Sequence, residues 1–330
     1  MRDVSFAMIA LRTASACALA AAQCSAFAQA PDAARDYPAK PIRIIVPYPP
    51  GGLGDIFPRA LANGLSELVG QPVIVDNRPG ASQMIGAQLA AKSAPDGYTL
   101  FFGSVTSLAI NVSAQKNLPY DPLKDFTPVT FCFSTPLYLV TSTALPATTV
   151  KELIALAKVR PAGLTFASGG PGSSTHLAAE LFRSMTGANL VHVPYKGSAP
   201  AMTDVMAGHI DFMFEGGGIN YVRDGKVRGL AVTSLKRSVN APQMPTMNEA
   251  GVAGYEAAIW FGIVVPAATP RPVVARLNGD IGKVLNQPRF RERLATLDIA
   301  PGTPEAFGVY IRNEIPKWRN VIQTANISIE

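Results

Sequence analysis

Cysteine is nearly missing from this chain. There are three, and Cys17 and Cys24 fall within residues 1–30, which read as an export signal. Arg2 and Arg12 supply positive charge, "ASACALAAA" is a short apolar core, and "AFA" and "AQA" offer small-residue cleavage sites. Cys24 does not fit a lipid anchor, because Gln23 precedes it where a small residue is needed. Once the signal is cleaved, Cys132 stands alone, so no disulfide can form within the chain although the compartment permits one. It sits in the strand-like run "VTFCF" and reads as a small core residue rather than a nucleophile.

Other absences narrow the function. The longest later apolar run, "AAIWFGIVV" (257–265), is too short to span a bilayer. Net charge is +6, or +5 when Arg2, Arg12 and Asp3 depart (two positive charges lost, one negative). That mild excess suits an anionic small molecule. The basic residues are scattered and never interleave with aromatics, which argues against nucleic acid as a partner. Three histidines, His176, His192 and His209, lack metal-ligand spacing, so no metal and no cofactor is expected. There is no G-x-S-x-G elbow, no phosphate-binding G-x-x-x-x-G-K-[ST] and no H-E-x-x-H. Repeats, low-complexity tracts and long polar linkers are absent too.

What is there is alternation. "IRIIV" predicts a strand, followed by a helix with Ile56, Leu61, Leu65 and Leu68 on one face, stopped at Gly70. "PVIVDN", "YTLFF", "LTFAS", "LVHVPY", "IDFMFE" and "VRGLAVTS" read as further strands. "IGAQLAAK", "VKELIALAK", "THLAAELFRSMTG" and "RPVVARLNGDIGKVL" read as helices, with a last helix after Thr303–Pro304. Thr149 and Glu152 form a capping box. Such a pattern predicts an α/β protein with parallel sheets and ligands at the carboxyl ends of strands. Two lobes would be joined by strand-like crossings, "FCFSTPLYLV" (131–140) outbound and "AAIWFGIVVP" (257–266) on return.

Two loops that leave strands and open helices carry the candidate chemistry: "PYPPGGLGD" (47–55) and "ASGGPGSSTH" (167–176). Proline stiffens the backbone and glycine frees it for close approach. Unpaired N–H groups at a helix start, with hydroxyls beside them, suit a carboxylate or phosphate. A tight turn with an N-cap explains either loop alone. Ser173 or Ser174 with His176 is the one arrangement a secreted hydrolase could use, and capping on a single helical turn competes with it. Asp55 reads as a general base or, better, as a helix N-cap.

Segments "YPAKPIRIIVPYPPGGLGD", "VDNRPGA", "PDGYTL", "LPYDPLKDFTPV", "KELIALAK", "FASGGPGSSTHLAAELF", "VPYKGSAPAMTDVMAGHIDFMF", "LAVTSLKRS" and "MPTMNEAGVAGYEAAIWFGIVVPAATP" follow one another from Tyr37 to about Ile327. In that order they resemble the solute-binding receptors of tripartite tricarboxylate transporters, the Bug family. The resemblance implies a two-lobed periplasmic binding protein of the type II-like Venus-flytrap kind, each lobe a mainly parallel sheet flanked by helices. Residues 31–134 with 256–330 would form lobe 1, and 135–255 lobe 2. The family's two glycine-bearing loops grip a ligand carboxylate from opposite lobes. Carried over, Tyr48, Gly51, Gly52, Leu53 and Asp55 form a first tongue, and Ser168, Gly170, Gly172, Ser173 and His176 a second. Ser104 offers a hydroxyl after "LFFG", and Phe214 and Glu215 end a strand that would look into the cleft.

The chain departs from the family pattern in places. Ser82, Gln83 and Met84 follow "NRPGA" where glycines are common; Gln83 adds a ligand hydrogen bond, with Ser82 beside it, or Met84 covers a helix start. Glu215 replaces the more usual aspartate, and either reads an ammonium or hydroxyl or caps a neighbouring helix. Arg78 or Lys196 is the candidate cation for the ligand, with a solvated turn as the alternative for Lys196. The expected ligand is a small organic carboxylate, a dicarboxylate or aromatic acid before a tricarboxylate. The expected partners are the transporter's membrane subunits or, on the signalling alternative, a sensor kinase's extracytoplasmic domain. The receptor would be a monomer and not an enzyme.

Overall fold

The computed structural model describes residues 35–324 except Lys196 and Thr296. The export signal expected at residues 1–30 lies outside the described residues. The first half-domain begins with β1 (Ile42–Val46), α1 (Leu53–Val69) and β2 (Val73–Asn77), then α2 (Met84–Ala91) and β3 (Thr99–Ser104). A π-helical turn (Thr106–Ile110) and the short α3 (Asn111–Ala114) lead to the long strand β4 (Phe126–Pro136). Next come β5 (Tyr138–Thr141), α4 (Val150–Val159), β6 (Leu164–Ser168), α5 (Ser174–Thr186) and β7 (Leu190–Pro194). They are followed by α6 (Ser198–Ala207), β8 (Phe212–Glu215), α7 (Gly218–Arg223) and β9 (Arg228–Val232). The chain closes with β10 (Ala258–Pro266), α8 (Arg271–Leu285), α9 (Pro288–Arg293), β11 (Asp298–Ile299) and α10 (Pro304–Thr324).

The strands form a six-stranded sheet, β11-β4-β10-β3-β1-β2, and a five-stranded sheet, β7-β6-β8-β5-β9. β1 lies between parallel neighbours, and Ile44, Ile45 and Val46 are wholly buried, as a continuous apolar run between two helical layers requires. The expected parallel βαβ units are present in both sheets, yet both sheets are mixed. β10 pairs antiparallel with β3 and β4, and β5 pairs antiparallel with β8 and β9. The reason is topological: a chain that leaves one sheet along β4 and comes back along β10 runs in opposite directions on the two passes. Only Leu137 separates β4 in the first sheet from β5 in the second.

Thr233 ties the two passes together. Its N–H donates to Leu137 O at 2.9 Å and its Oγ1 accepts from Leu137 N at 2.8 Å. On the other side Thr233 O accepts from Ala257 N at 3.1 Å, and the hydroxyl donates to Ala257 O. All of this is buried, so each bond forms without competition from water.

Packing adjusts some local expectations. In α1 Leu61 and Leu65 are buried, but Ile56 and Leu68 are 42% and 41% exposed. Phe57 takes the core-facing place instead, its ring 4.4 Å from that of Phe133, so the helix turns to seat the larger side chain. At α4 the Thr149 hydroxyl accepts from Glu152 N at 3.1 Å, and the Glu152 carboxylate reaches back one residue further, to Thr148 N at 2.7 Å. In α10 the buried Glu314 carboxylate accepts from the indoles of Trp260 and Trp318, both at 2.9 Å, and pairs with Lys317 at 3.0 Å. A charge sealed in the core is tolerable only with such partners. Cys132 is buried, which pushes its thiol well above the usual range. It is a core residue.

Candidate functional site

Two adjoining cavities of about 620 and 530 Å³ meet at the first glycine-bearing loop, and the second glycine-bearing loop lines the smaller of them. They share Tyr48, Pro49, Ser198, Glu215, Ile259 and Phe261. The larger extends past Gly52, Leu53 and Gly54, and the smaller past Ser82, Gln83, Gly172, Ser173 and Ser174. Among the described residues none of the lining side chains is a lysine or arginine.

The first loop is shaped by close approach. A Cβ on Gly54 would stand 2.6 Å from the Tyr48 ring, so only glycine lets the helix start fold over that ring. Gly52, not Asp55, is the N-cap of α1. Asp55 sits inside the first turn, where its Oδ2 accepts from Gly51 N at 3.0 Å and from Arg59 Nε at 2.9 Å, and Oδ1 accepts from Asn77 at 2.8 Å. Hydrogen bonding to Arg59 holds its carboxyl down to about 2. Gly51 and Asp55 therefore build the loop, while the amides of Leu53 and Gly54 open the helix without a carbonyl one turn back.

Beside this loop the residues 81–83 turn left-handed. Ala81, Ser82 and Gln83 have φ of 46°, 49° and 75°. Asn111 holds the turn by donating to Ser82 O at 2.8 Å. The result aims Gln83 inward: its amide donates to the Tyr48 hydroxyl at 2.7 Å, and its Oε1 accepts from Ser104 Oγ at 2.8 Å. Ser104 is wholly buried and acts behind Gln83 rather than on the cavity wall. Burial pushes the Tyr48 phenol up to about 12, so it stays a neutral donor. Met84 opens α2 directly after this turn.

The second loop is wired from within. Gly170, at φ 124°, donates to Ser168 Oγ at 3.1 Å, and Gly172 N donates to His176 Nδ1 at 3.0 Å. Ser173 is the N-cap of α5, accepting from His176 N at 3.3 Å while its hydroxyl donates to Gly170 O at 2.7 Å. The amides of Gly170 and Gly172 are thus committed to the loop, and the smaller cavity meets Gly172, Ser173, Ser174 and Thr175 instead. Behind the loop the His176 and His192 rings stack at 3.9 Å between centroids, and His192 Nε2 lies 2.7 Å from Ser168 Oγ. Burial lowers the His192 pKa from 6.5 to about 4. The His176 ring nitrogens meet Gly172 N and, at 3.6 Å, Glu180, so neither reaches the Ser173 hydroxyl as a nucleophile's base would.

The expectation for Phe214 fails. Phe214 is wholly buried beside Phe182 and Tyr255, whereas Glu215 lines both cavities. Successive strand residues point to opposite faces, so only one of the pair can look into the cleft. Glu215 Oε1 accepts from Gly217 N, just before α7, at 3.3 Å, without capping that helix, while Oε2 is sealed from solvent near the Ser198 hydroxyl. Burial raises its carboxyl pKa. Arg78 turns away to Asp76 at 2.9 Å, and Lys196 lies outside the described residues.

Several lining residues carry no clear signal in the sequence. Ser198 opens α6 after a glycine, which is the same strand–loop–helix cue as the two tongues, and could have been found. Thr135, Tyr138, Ile259 and Phe261 belong to the crossing strands, whose apolar composition hides which positions meet a cavity. Phe261 packs on Phe133 at 4.6 Å and on Tyr48 at 5.9 Å, giving the cleft an aromatic floor.

Known proteins share this architecture. A solved structure of R. palustris Rpa4515 with adipate superposes with a TM-score of 0.81, at 36% identity over 89% of this chain and 99% of that one. MatC from Rhodopseudomonas palustris, with bound malate, gives 0.76 at 28% identity over 87% of this chain and all of that one, 100%. BugT of Bordetella pertussis is 38% identical over 306 residues, 91% of this chain and 94% of its own. Residues 57–327 match the family profile described as "Tripartite tricarboxylate transporter family receptor". With its two mixed α/β sheets and a cleft between glycine-bearing loops, this chain belongs to that family of periplasmic receptors.

Proposed function

We propose that this chain captures a small organic carboxylate in the cleft between its two loops and delivers it to the membrane subunits of a tripartite tricarboxylate-type transporter. The observation that carries this reading is the cleft itself. It is lined by helix-opening amides, hydroxyls and the Tyr48–Gln83 pair over an aromatic floor, with no lysine or arginine among the described lining residues. Neutral donors recognise one carboxylate well, at about 1.5–3 kcal/mol for a hydrogen bond to a charged group. They do not balance the three charges of a tricarboxylate. A dicarboxylate or an aromatic acid is therefore favoured, and adipate and malate in the two related structures support the former.

In this reading the ligand contacts come from Tyr48, Gly52, Leu53, Ser82 and Gln83 on one side and Gly172, Ser173 and Glu215 on the other. Gly51, Asp55, Ser104, Ser168, Gly170 and His176 hold the loops in place. Residues 31–134 with 256–330 form one lobe and 135–255 the other, and the ligand selects the shut arrangement because only there does it meet both loops. The protein acts after export and signal removal, as a receptor and not as a catalyst. A thermal-shift and calorimetric panel of aliphatic and aromatic mono-, di- and tricarboxylates tests this. Stabilisation by dicarboxylates or aromatic acids is expected. Stabilisation by citrate-like acids alone would refute the ligand class, and no response to any carboxylate would refute the receptor reading.

A further inference from the structure

Glu215 is out of place in an anion site. It lines both cavities, one carboxylate oxygen is held by Gly217 N, and the other is sealed from water near the Ser198 hydroxyl without a well-aligned hydrogen bond. The groups around it are uncharged: Tyr138 paired beside it on β5, Ser198 at the start of α6, Asn220 on α7 and Tyr48 across the cleft. The charged groups beside the first loop are engaged elsewhere, Asp55 with Arg59 and Arg78 with Asp76. His176 and His192 lie behind the second loop, stacked on each other, and Lys196 is outside the described residues. A second carboxylate brought into this space meets a like charge with no described cation to offset it, which is costly in a buried setting.

We propose that Glu215 reads the far carboxylate of a dicarboxylic ligand as a protonated acid, its Oε2–H donating to the ligand, so that the receptor takes up one proton with its ligand. This rests on the carboxylate reading given above. The proton comes from solvent and stays on Oε2, and no bond in the ligand changes. The geometry meets both needs of such a group: Oε1 keeps its acceptor role toward Gly217 N, and Oε2, which makes no well-aligned hydrogen bond, gains one. Burial favours the neutral form in the same direction. Two carboxyl groups sharing one proton is the usual outcome when both are confined at close range.

Calorimetry on the exported, signal-free protein tests this with adipate and hexanoate, between about pH 6.5 and 8.5, where both free ligands are fully ionised. Adipate affinity is expected to rise as pH falls, approaching tenfold per pH unit (about 1.4 kcal/mol), with close to one proton taken up in buffers of differing ionisation enthalpy. Hexanoate, which brings no second carboxylate, is expected to bind without that slope. Glu215→Gln donates from an uncharged amide at every pH, so it is expected to bind adipate more tightly than the parent chain near pH 8.5 and to lose the slope. A slope that persists in Glu215→Gln, or that hexanoate shares, would assign the proton to the histidines behind the second loop and overturn the proposal. Adipate affinity independent of pH, or abolished in Glu215→Gln, overturns it as well. In each of these cases carboxylate capture stands, whereas failure of both acids to bind at every pH removes the underlying reading too.

Discussion

Ala81, Ser82 and Gln83 adopt left-handed backbone in succession, at φ of 46°, 49° and 75°. A side-chain-bearing residue costs about 1–2 kcal/mol there relative to the right-handed region. Strain of this kind persists where neighbours over-determine it, and here Asn111, Tyr48 and Ser104 do so. Ser82→Gly is accordingly expected to raise stability, by about 0.5–1 kcal/mol in urea melts, because relief of strain exceeds the extra freedom of the unfolded glycine. Gln83→Gly loses both side-chain hydrogen bonds and is expected to weaken carboxylate binding about tenfold, near 1.4 kcal/mol. A drop in stability for Ser82→Gly, or unaltered affinity for Gln83→Gly, would contradict the account. Nothing in "ASQ" announces this turn. The sequence shows only that glycines common at these positions are missing, and the conformation they would have eased is visible only once Asn111 and Ser104 are seen to hold it. The Phe214 assignment failed for a related reason, while Glu215 beside it does line the cavities. The strand was legible, but the phase of its pleat depends on which side the other sheet lies.

At the scale of elements, the alternation of strands and helices was legible because apolar runs, helix periodicity and Gly or Thr boundaries agree with one another. "RPVVARLNGDIGKVL" is α8 from end to end, and Gly187 ends α5 in left-handed conformation. The antiparallel placement of β10 was not legible, since direction within a sheet follows from the path of the whole chain. The pair β7 and α5 carries a pH response of its own. His192 on β7 has its pKa lowered to about 4, chiefly by burial and next by the neighbouring His176. The unfolded chain therefore binds more protons between about pH 4 and the ordinary histidine value of 6.5, so stability rises with pH across that window. The contribution is complete above 6.5 and is lost as pH falls toward 4. Asp55, whose carboxyl is held near 2, adds its own loss only below the ordinary aspartate value of 3.8. Urea melts taken through the upper window should show the slope in the parent chain and a reduced slope in His192→Phe, which keeps the ring stack without a titrating group. An equal slope in both would place the effect elsewhere.

For the molecule as a whole, the crossings decide how the two sheets can move. Leu137 and the stretch from Thr233 to Ala257 are joined through one buried threonine that donates and accepts on both sides. A continuous buried cluster also runs from Phe101 and Phe126 to Phe166 and Phe212, so the crossings sit against packed core and not in solvent. Thr233→Val keeps the side-chain volume and removes the hydroxyl, leaving Leu137 N–H and Ala257 C=O short of a partner. A loss of about 2 kcal/mol is expected in chemical melts. Small-angle scattering of the parent chain should show compaction on saturation with a binding carboxylate, as rotation about these crossings requires. Matching scattering profiles with and without ligand would exclude closure, and an unshifted melt for Thr233→Val would exclude the clamp.

The burial of Cys132 has a practical consequence. From residue 31 onward the chain holds that one thiol, and its environment keeps it protonated and out of reach of reagents. A cysteine installed at Asn220, exposed at the rim of the larger cavity, would then be the single handle for an environment-sensitive dye. The receptor could report its own ligand optically, with no native cysteine removed first.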